Sequence, residues 1–411
     1  MTRISQIVAG LDIGTAKITL IVAERDEKGG LDVIGIGNSP SKGLRKGVVV
    51  DMDATVESIK CAAEEAELMS GVSVGRAFVG TSGGHIRGFN SRGVVAITSR
   101  DHEITREDIR RVLHAARSVS VPQDREIFHA LPQEFIVDDQ GGIDRPLGMS
   151  GTRLEVNVYL VTGFVAAVQN LVNAVNRAGI EVEAVTLENL AAGQTVLSRD
   201  ERELGVGLVD IGGGTTDLAI FERGAIRHVY SLPSGGDHFT NDIAVGLRTP
   251  HSEAERIKMK YGCALPSLVP EDETIEVPSV GGRKPRVLSR QLLCEIIRPR
   301  ADEILGLLRE EIKRAGFESS LNAGLVFTGG GCLLDGITEI AEDLFDRPVR
   351  RGTPNGIGGL IDVVDSPAHA TAVGLVVHGA NSRRELKPAP WRQISLGRVT
   401  TRIRDWFQDF L

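Results

Sequence analysis

The sequence predicts an α/β protein of two similar domains closing around a ligand cleft, with a small α/β subdomain inserted into the first. Three observations predict it. A hairpin pattern occurs twice: residues 9–22 read AGLDIGTAKITLIV and residues 207–221 read GLVDIGGGTTDLAIF, which sets Asp12 opposite Asp210 and Gly14 opposite Gly212. A second turn-and-strand unit follows each, over 29–36 and 224–232; self-similarity at so wide a spacing implies two like halves. The length, 411 residues, lets each half bury its own core. Over 85–158 the pattern changes to short strands and one charged helix, which reads as an interruption of the first half.

Composition narrows the class. Apolar residues make up 41% and charged residues 25%, as in ordinary globular proteins. A net charge of −8 argues against a nucleic-acid partner. Cys61, Cys263, Cys294 and Cys332 are scattered, with no CxxC and no His/Cys cluster, and read as buried reduced thiols. Residues 1–14 enter the first strand directly, so no secretory signal is expected. No apolar stretch reaches the ~18 residues of a spanning helix.

The glycine turns carry the chemistry. Gly212, Gly213 and Gly214 remove the side chains that would hold a phosphate away. Their N–H groups, with the hydroxyls of Thr215 and Thr216, suit an anion-binding concavity. Asp210, ending a buried strand, is placed to hold hydrated Mg²⁺, and Asp12 repeats it. One such turn also fits a plain tight hairpin. Two, one per half, imply a nucleotide clamped between them.

In chain order, strands are expected over 6–12, 18–23 and 31–37, then a helix over 51–70 with Asp51 and Asp53 at its start. Strand 76–81 ends in SGG. The insert holds strands at 94–98, 127–137 and 153–160 and a helix over 105–118 begun by Thr105, Glu107 and Asp108. Its most loop-like part is 138–151, and an insertion on a rigid scaffold often carries partner contacts. Helix 163–179 closes at Gly179. Strand 180–187 leads to helix 188–198, which joins the halves. Glu188 at its start orients an attacking water or merely matches the helix dipole.

In the second half, Gly235 and Gly236 precede helix 239–247. Helix 252–261 carries Glu255 and Lys258 on one face, suited to a ribose or base, or to each other. Residues 266–286 are turn-rich, with a short strand at 274–278. Helix 289–315 directs Leu292, Leu293, Ile296, Ile297, Ile304, Leu307, Leu308 and Ile312 inward, with a kink at Pro299. Around it cluster Arg283, Lys284, Arg286, Arg290, Arg298 and Arg300, a basic patch fitted to an acidic peptide or a solvated helix face. A strand then enters a third glycine turn, Gly329, Gly330 and Gly331, flat enough to pass under a planar ring such as adenine, before helix 333–345. Gly374 and Gly379 would let helix 367–379 pack closely on the joining helix near 191–193.

Residues 12–17, 209–218 and 328–332, with the glycine-bearing helices 188–195 and 368–375, resemble the five-part ATP signature of the actin, Hsp70 and sugar-kinase superfamily. The phrases LDIGTAKI, SKGLRKGVV, HALPQEF, ERELGVGLVDIGGGTTDLAI, YGCAL, EVPSVGGR and VFTGGG resemble the FtsA family of bacterial cell-division proteins. The resemblance implies an actin-like (ribonuclease H-like) fold with ATP and Mg²⁺ as cofactors. It implies a first phosphate loop of Asp12, Gly14, Thr15, Ala16 and Lys17, in which Lys17 offsets β-phosphate charge. It further implies a filament former that binds itself and lies peripherally on the cytoplasmic face of the inner membrane at the division septum. There it tethers FtsZ through its C-terminal peptide, with Arg286 and Arg300 facing that peptide, and recruits later division proteins through the insert. The expected first domain is 1–84, 159–200 and 367–380, the insert 85–158, and the second domain 201–366 with its outer part at 240–320.

The end of the chain points the same way. Residues 381–394, with Pro388 and Pro390, read as a flexible linker. Over 395–411, Leu396, Val399, Ile403, Trp406, Phe407 and Phe410 recur at helical spacing among Arg398, Arg402 and Arg404. Such a helix fits an anionic membrane surface, or else docks on its own domain. A small-molecule kinase of the same superfamily is the alternative function; it needs a carboxylate base aimed at a substrate hydroxyl. A chaperone ATPase needs a large client domain, for which few residues follow Gly379. Glu188 is the named candidate for hydrolysis, with nearby Asp residues as the alternative, and slow ATP turnover at most is expected.

Overall fold

The computed structural model describes residues 6–26, 29–279 and 284–385. Two sheets repeat one topology. In the first, Ile7–Ile13, Lys17–Arg25 and Leu31–Pro40 pair antiparallel in succession. Ile7–Ile13 also pairs parallel with Arg76–Thr81, itself parallel to Glu181–Leu187. In the second, Val206–Ile211, Thr216–Glu222 and Ala225–Leu232 pair antiparallel. Val206–Ile211 pairs parallel with Leu325–Thr328, itself parallel to Val349–Arg351. The likeness read from two hairpins therefore extends to five strands of each half.

Both faces of each sheet are covered, which is why the central strands are almost wholly apolar. Helices Met52–Ser70 and Val165–Arg177 bury one face of the first sheet and Ala370–Glu385 the other. Helices Gly236–Leu247, His251–Tyr261, Arg290–Arg314 and Ile337–Phe345 bury one face of the second. Its other face meets the joining helix Glu188–Val196 and the root of the insert, through Phe128, Leu131 and Tyr159.

The insert is a four-stranded sheet in the order Arg87–Ala96, Arg153–Phe164, Arg125–Val137, Gln140–Ile143, with helix Arg106–Arg117 on one face. Thr105 and Asp108 cap that helix reciprocally, as the sequence indicates. The sheet is larger than expected. Its first strand starts at Arg87, its last runs to Phe164, and Gln140–Ile143 lies in the stretch read as loop. The strand Arg87–Ala96 is largely exposed, so it shows little alternation. The insert also grips the second half: the Tyr159 hydroxyl accepts from Val229 N–H at 2.9 Å, and Gln133 donates to the Ile226 carbonyl at 3.0 Å.

Helix ends follow local chemistry. Asp51 caps Met52–Ser70, and Gly71 ends it in the left-handed conformation, φ 67°. Nothing lies within 4 Å of the position a Gly71 Cβ would take. Gly71→Ala therefore adds only backbone strain and is expected to cost about 1 kcal/mol, read as a lower urea midpoint; an unchanged midpoint refutes this.

Several expectations are corrected. Arg290–Arg314 is the expected long helix with Pro299 inside it, but Leu292 and Leu307 are 40% and 37% exposed while Leu293 and Leu308 are buried. Sequence neighbours stand far apart around a helix, so only one of each pair faces the core. The third glycine turn continues as a 3₁₀ turn, Gly330–Leu333, and the next helix begins only at Ile337. The final helix runs to Glu385, into the expected linker, held by Arg383 on the Ile7 carbonyl at 2.6 Å and on Glu183. Gly374 packs on the joining helix as expected, but Gly379 faces the Phe78 ring. Cys61 is exposed, whereas the other three cysteines are buried. Arg283 and the expected membrane-helix residues Arg402, Ile403, Arg404, Trp406, Phe407 and Phe410 lie outside the described residues. Among the described residues, no helix is long and apolar enough to cross a membrane.

Candidate functional site

The two glycine turns are built alike. Gly14 N–H donates to the Lys17 carbonyl at 3.1 Å, and Gly212 N–H to the Thr215 carbonyl at 2.9 Å. They meet tip to tip across the cleft. A Cβ on Gly213 would lie 2.7 Å from the Ala16 Cβ, and one on Gly214 2.6 Å from Thr15 Oγ1. Gly47 N–H donates to that same Thr15 hydroxyl at 3.3 Å. The threonines expected to face an anion are engaged within the second half. Thr215 donates to Asp217 at 2.8 Å and Thr216 to the Ser234 carbonyl at 2.8 Å.

Helix Gly236–Leu247 starts against the second turn. Gly236 and Asp237 N–H donate to the Gly212 and Gly213 carbonyls, each at 2.8 Å. Lys258 secures that start: its Nζ lies 3.0 Å from the Gly236 carbonyl, 2.8 Å from Thr240 Oγ1 and 2.7 Å from Glu255. The third turn closes on Asp210. Gly329, φ 80°, leaves no room for a side chain, since its Cβ would lie 2.2 Å from Asp210 Oδ1; a Gly331 Cβ would lie 2.4 Å from Ile211, and Gly330 borders Ala368. From the final helix, Thr371 donates to Asp210 Oδ2 at 3.0 Å. Lys17 Nζ is 3.3 Å from His369 Nδ1.

Four carboxyl groups share this cleft. Burial pushes Asp12 up to about 7, with Lys17 opposing and Asp210 reinforcing. Burial raises Asp210 to about 6 against the Thr371 hydroxyl and Lys17. Asp217, directly opposite Asp210 in the hairpin, is raised to about 7 by burial, while Thr215 and the Gly83 N–H pull it down. Glu188 is held well above the usual carboxylate range by burial and by Asp12 and Asp217, against a hydrogen bond from Ser82. Burial lowers Lys17 despite Asp12 and Asp210, and lowers His369 to about 4.

This set is short of positive charge, and a cation would relieve it. Hard carboxylate oxygens suit Mg²⁺. Among the described residues no three His, Cys, Asp or Glu side chains are placed to ligate one ion. An ion here would take one or two carboxylates and keep waters, as Mg²⁺ does.

The basic cluster is different. Arg300 bonds both Asp242 oxygens at 2.8 and 3.1 Å, Arg298 pairs with Asp302 at 2.8 Å, and Arg290 with Glu273 at 3.0 Å. Arg286 donates to the Leu247 carbonyl. Arg290, Arg298 and Arg300 of this patch are thus held in internal ion pairs with which an acidic peptide must compete.

Sequence reading missed Asp217, Thr371 and Ser82. Asp217 was findable, because an antiparallel hairpin with Gly212 and Thr215 closing its turn sets residue 217 opposite 210. Thr371 lies 161 residues from Asp210 and has no local signal.

Comparison with known proteins agrees with this architecture. The sequence model of cell division protein FtsA matches residues 207–374, and that of the SHS2 domain inserted in FTSA matches residues 83–162. Cell division protein FtsA of Pseudomonas aeruginosa is 50% identical over 380 residues, 92% of this chain and 91% of that one. The solved PilM–PilN type IV pilus biogenesis complex superposes with a TM-score of 0.66 at 18% identity, over 91% of this chain and 98% of the other. MreB5 of Spiroplasma citri bound to ADP gives 0.54 at 17% identity, over 90% and 95%. At these identities the two structures establish the fold alone. With its duplicated actin-like halves, its inserted subdomain and a half-identical full-length relative, the chain belongs to the FtsA family of cell-division proteins.

Proposed function

We propose that the chain binds Mg·ATP in the cleft and polymerises, and that its filaments hold FtsZ at the cytoplasmic face of the inner membrane and recruit later division proteins. The observation that carries this reading is the pair of facing glycine turns with Asp12 and Asp210 behind them. In this reading the turn N–H groups take the phosphates, and Lys17 offsets their charge. Asp12 and Asp210 hold Mg²⁺ through water, and the ion supplies the missing positive charge. Gly329, Gly330 and Gly331 lie along the base, and Gly236, Glu255 and Lys258 border the ribose. The turns touch, so the halves must part slightly to admit phosphate. Burial and the neighbouring Asp12 and Asp217 disfavour the charged form of Glu188, the form that would accept a water proton. The cleft therefore uses ATP as an assembly ligand and turns it over slowly at most. FtsZ binding falls to the surface near Arg286 and Arg300, and later division proteins to the insert.

Membrane attachment rests on the sequence of residues 395–411, whose apolar face and arginines suit an anionic surface. One such tail binds reversibly; many on a filament bind firmly through effective concentration. Full-length protein is expected to float with anionic liposomes, more completely with Mg·ATP, while a chain ending at Lys387 stays at the bottom. Equal flotation of the two would place the membrane contact elsewhere. Flotation indifferent to Mg·ATP would uncouple attachment from assembly.

A further inference from the structure

Two buried thiols share one small cluster. Cys294, on helix Arg290–Arg314, lies beside Cys263, which follows helix His251–Tyr261. With Val269 they form a small buried cluster of their own. Cys263 donates to the Leu265 carbonyl at 3.2 Å. Both backbones are pinned. Arg290, one turn before Cys294, donates to the Tyr261 carbonyl at 2.9 Å. Ala264 N–H donates to the Asp335 carbonyl at 2.7 Å, and Cys263 forms an isolated bridge with Asp335. Cys263 also lines a polar cavity of about 470 Å³ walled by Arg290, Arg351, Asp335 and Thr338. Cys294 does not line it, and neither does any residue assigned above to the nucleotide.

We propose that Cys263 and Cys294 form an oxidisable dithiol, converted to a disulfide by a hydroperoxide that enters this cavity. The Cys263 sulfur attacks one oxygen of hydrogen peroxide. The O–O bond breaks, Cys263 becomes a sulfenic acid, and the second oxygen leaves as water with the thiol proton. The Cys294 sulfur then attacks the Cys263 sulfur. The S–O bond breaks, and the hydroxyl leaves as water with the Cys294 proton. Two thiols and one peroxide give one disulfide and two waters, with two electrons passing from sulfur to peroxide. The bond ties the long helix to the segment that pairs with Asp335, just beyond the third glycine turn. The cavity orders the chemistry: the thiol that lines it reacts first, and the one behind it resolves.

The test uses the full chain carrying Cys61→Ser, which removes the exposed thiol. After hydrogen peroxide and alkylation in denaturant, the protein is expected to have lost two hydrogens and to give a linked Cys263–Cys294 peptide. Cys332, equally buried and outside the cavity, serves as the internal control and should remain alkylated. With Cys294→Ser, a 1,3-diketone should label Cys263 as sulfenic acid. With Cys263→Ser, Cys294 should remain fully alkylated. Complete alkylation of both thiols in the peroxide-treated parent, or oxidation of Cys332 as fast as the pair, overturns the proposal. A diketone label on Cys294 but not Cys263 would reverse the order of reaction and overturn it equally.

Discussion

Asp12→Asn is expected to make the nucleotide-free protein melt at a higher temperature at pH 7.5 while weakening Mg-dependent ATP binding about 10–100-fold. Both effects come from one carboxyl. Asp12 is raised from 3.8 to about 7 by burial, beyond what Lys17 offsets. Between those values the unfolded chain has released its proton while the folded chain keeps it. Stability therefore falls as pH rises from about 4 to about 7, and the full penalty stands above that. An amide at residue 12 carries no charge and escapes the penalty. Three pH units correspond to about 4 kcal/mol. Lys17 also loses a partner in the variant, although Asp210 remains, so a gain of about 1–3 kcal/mol is expected at pH 7.5.

The sign can be isolated. Buried His129 and His378 are lowered to about 3 and about 4, so they cost stability as pH falls below the ordinary histidine range. That loss is common to both proteins and cancels in their difference. The difference in melting temperature should be positive at pH 7.5, smaller at pH 5, and close to zero below pH 4. A variant that melts lower than the parent at pH 7.5 would show that Asp12 is held ionised by groups that outweigh its burial. With Mg·ATP the order should reverse, because only the parent gains ligand stabilisation.

What the sequence revealed and what it hid divide along range. The hairpins are local: apolar strand, glycine turn and apolar strand lie within fifteen residues, and their repetition predicted two sheets of like topology. Helix caps are local too, and Asp51, Thr105 and Gly179 stand where expected. The state of a charge is not local. The arginines of the long helix stood out as a cluster because they share one stretch, but the Asp242 that neutralises Arg300 lies 58 residues earlier. Thr371 reaches Asp210 from the far end of the chain for the same reason. The shared cleft also changed the reading of Glu188. As a residue beginning a helix it suggested an ionised group; burial beside Asp12, Asp217 and Asp210 instead raises its pKa well above the usual carboxylate range.

A pair of identical substitutions should separate packing from propensity. Gly374 and Gly306 both lie inside helices, where alanine is favoured by about 1 kcal/mol. Around Gly306 nothing lies within 4 Å of an added Cβ, so Gly306→Ala should raise stability by up to that amount. At Gly374 the added carbon would lie 2.3 Å from the Ala191 carbonyl oxygen, 2.4 Å from its carbon and 2.7 Å from Ala192 N. All three are backbone atoms of the joining helix, and no rotamer change can clear them. The final helix cannot retreat freely either, since Gly10 of the first strand already meets the Ala372 carbonyl at a would-be 2.7 Å. Gly374→Ala should therefore lower stability by about 1–3 kcal/mol net. It should also disturb the cleft. Thr371 stands one turn earlier on the same helix, and its hydroxyl lowers Asp210. Moving that helix takes the hydroxyl away, lets Asp210 rise further, and should weaken Mg·ATP binding without touching any glycine turn. Parallel melts and ATP titrations of the two variants decide the matter. If Gly374→Ala is as stable as Gly306→Ala, the helices are free to separate, and the close contact that joins the two halves is not what holds Thr371 on Asp210.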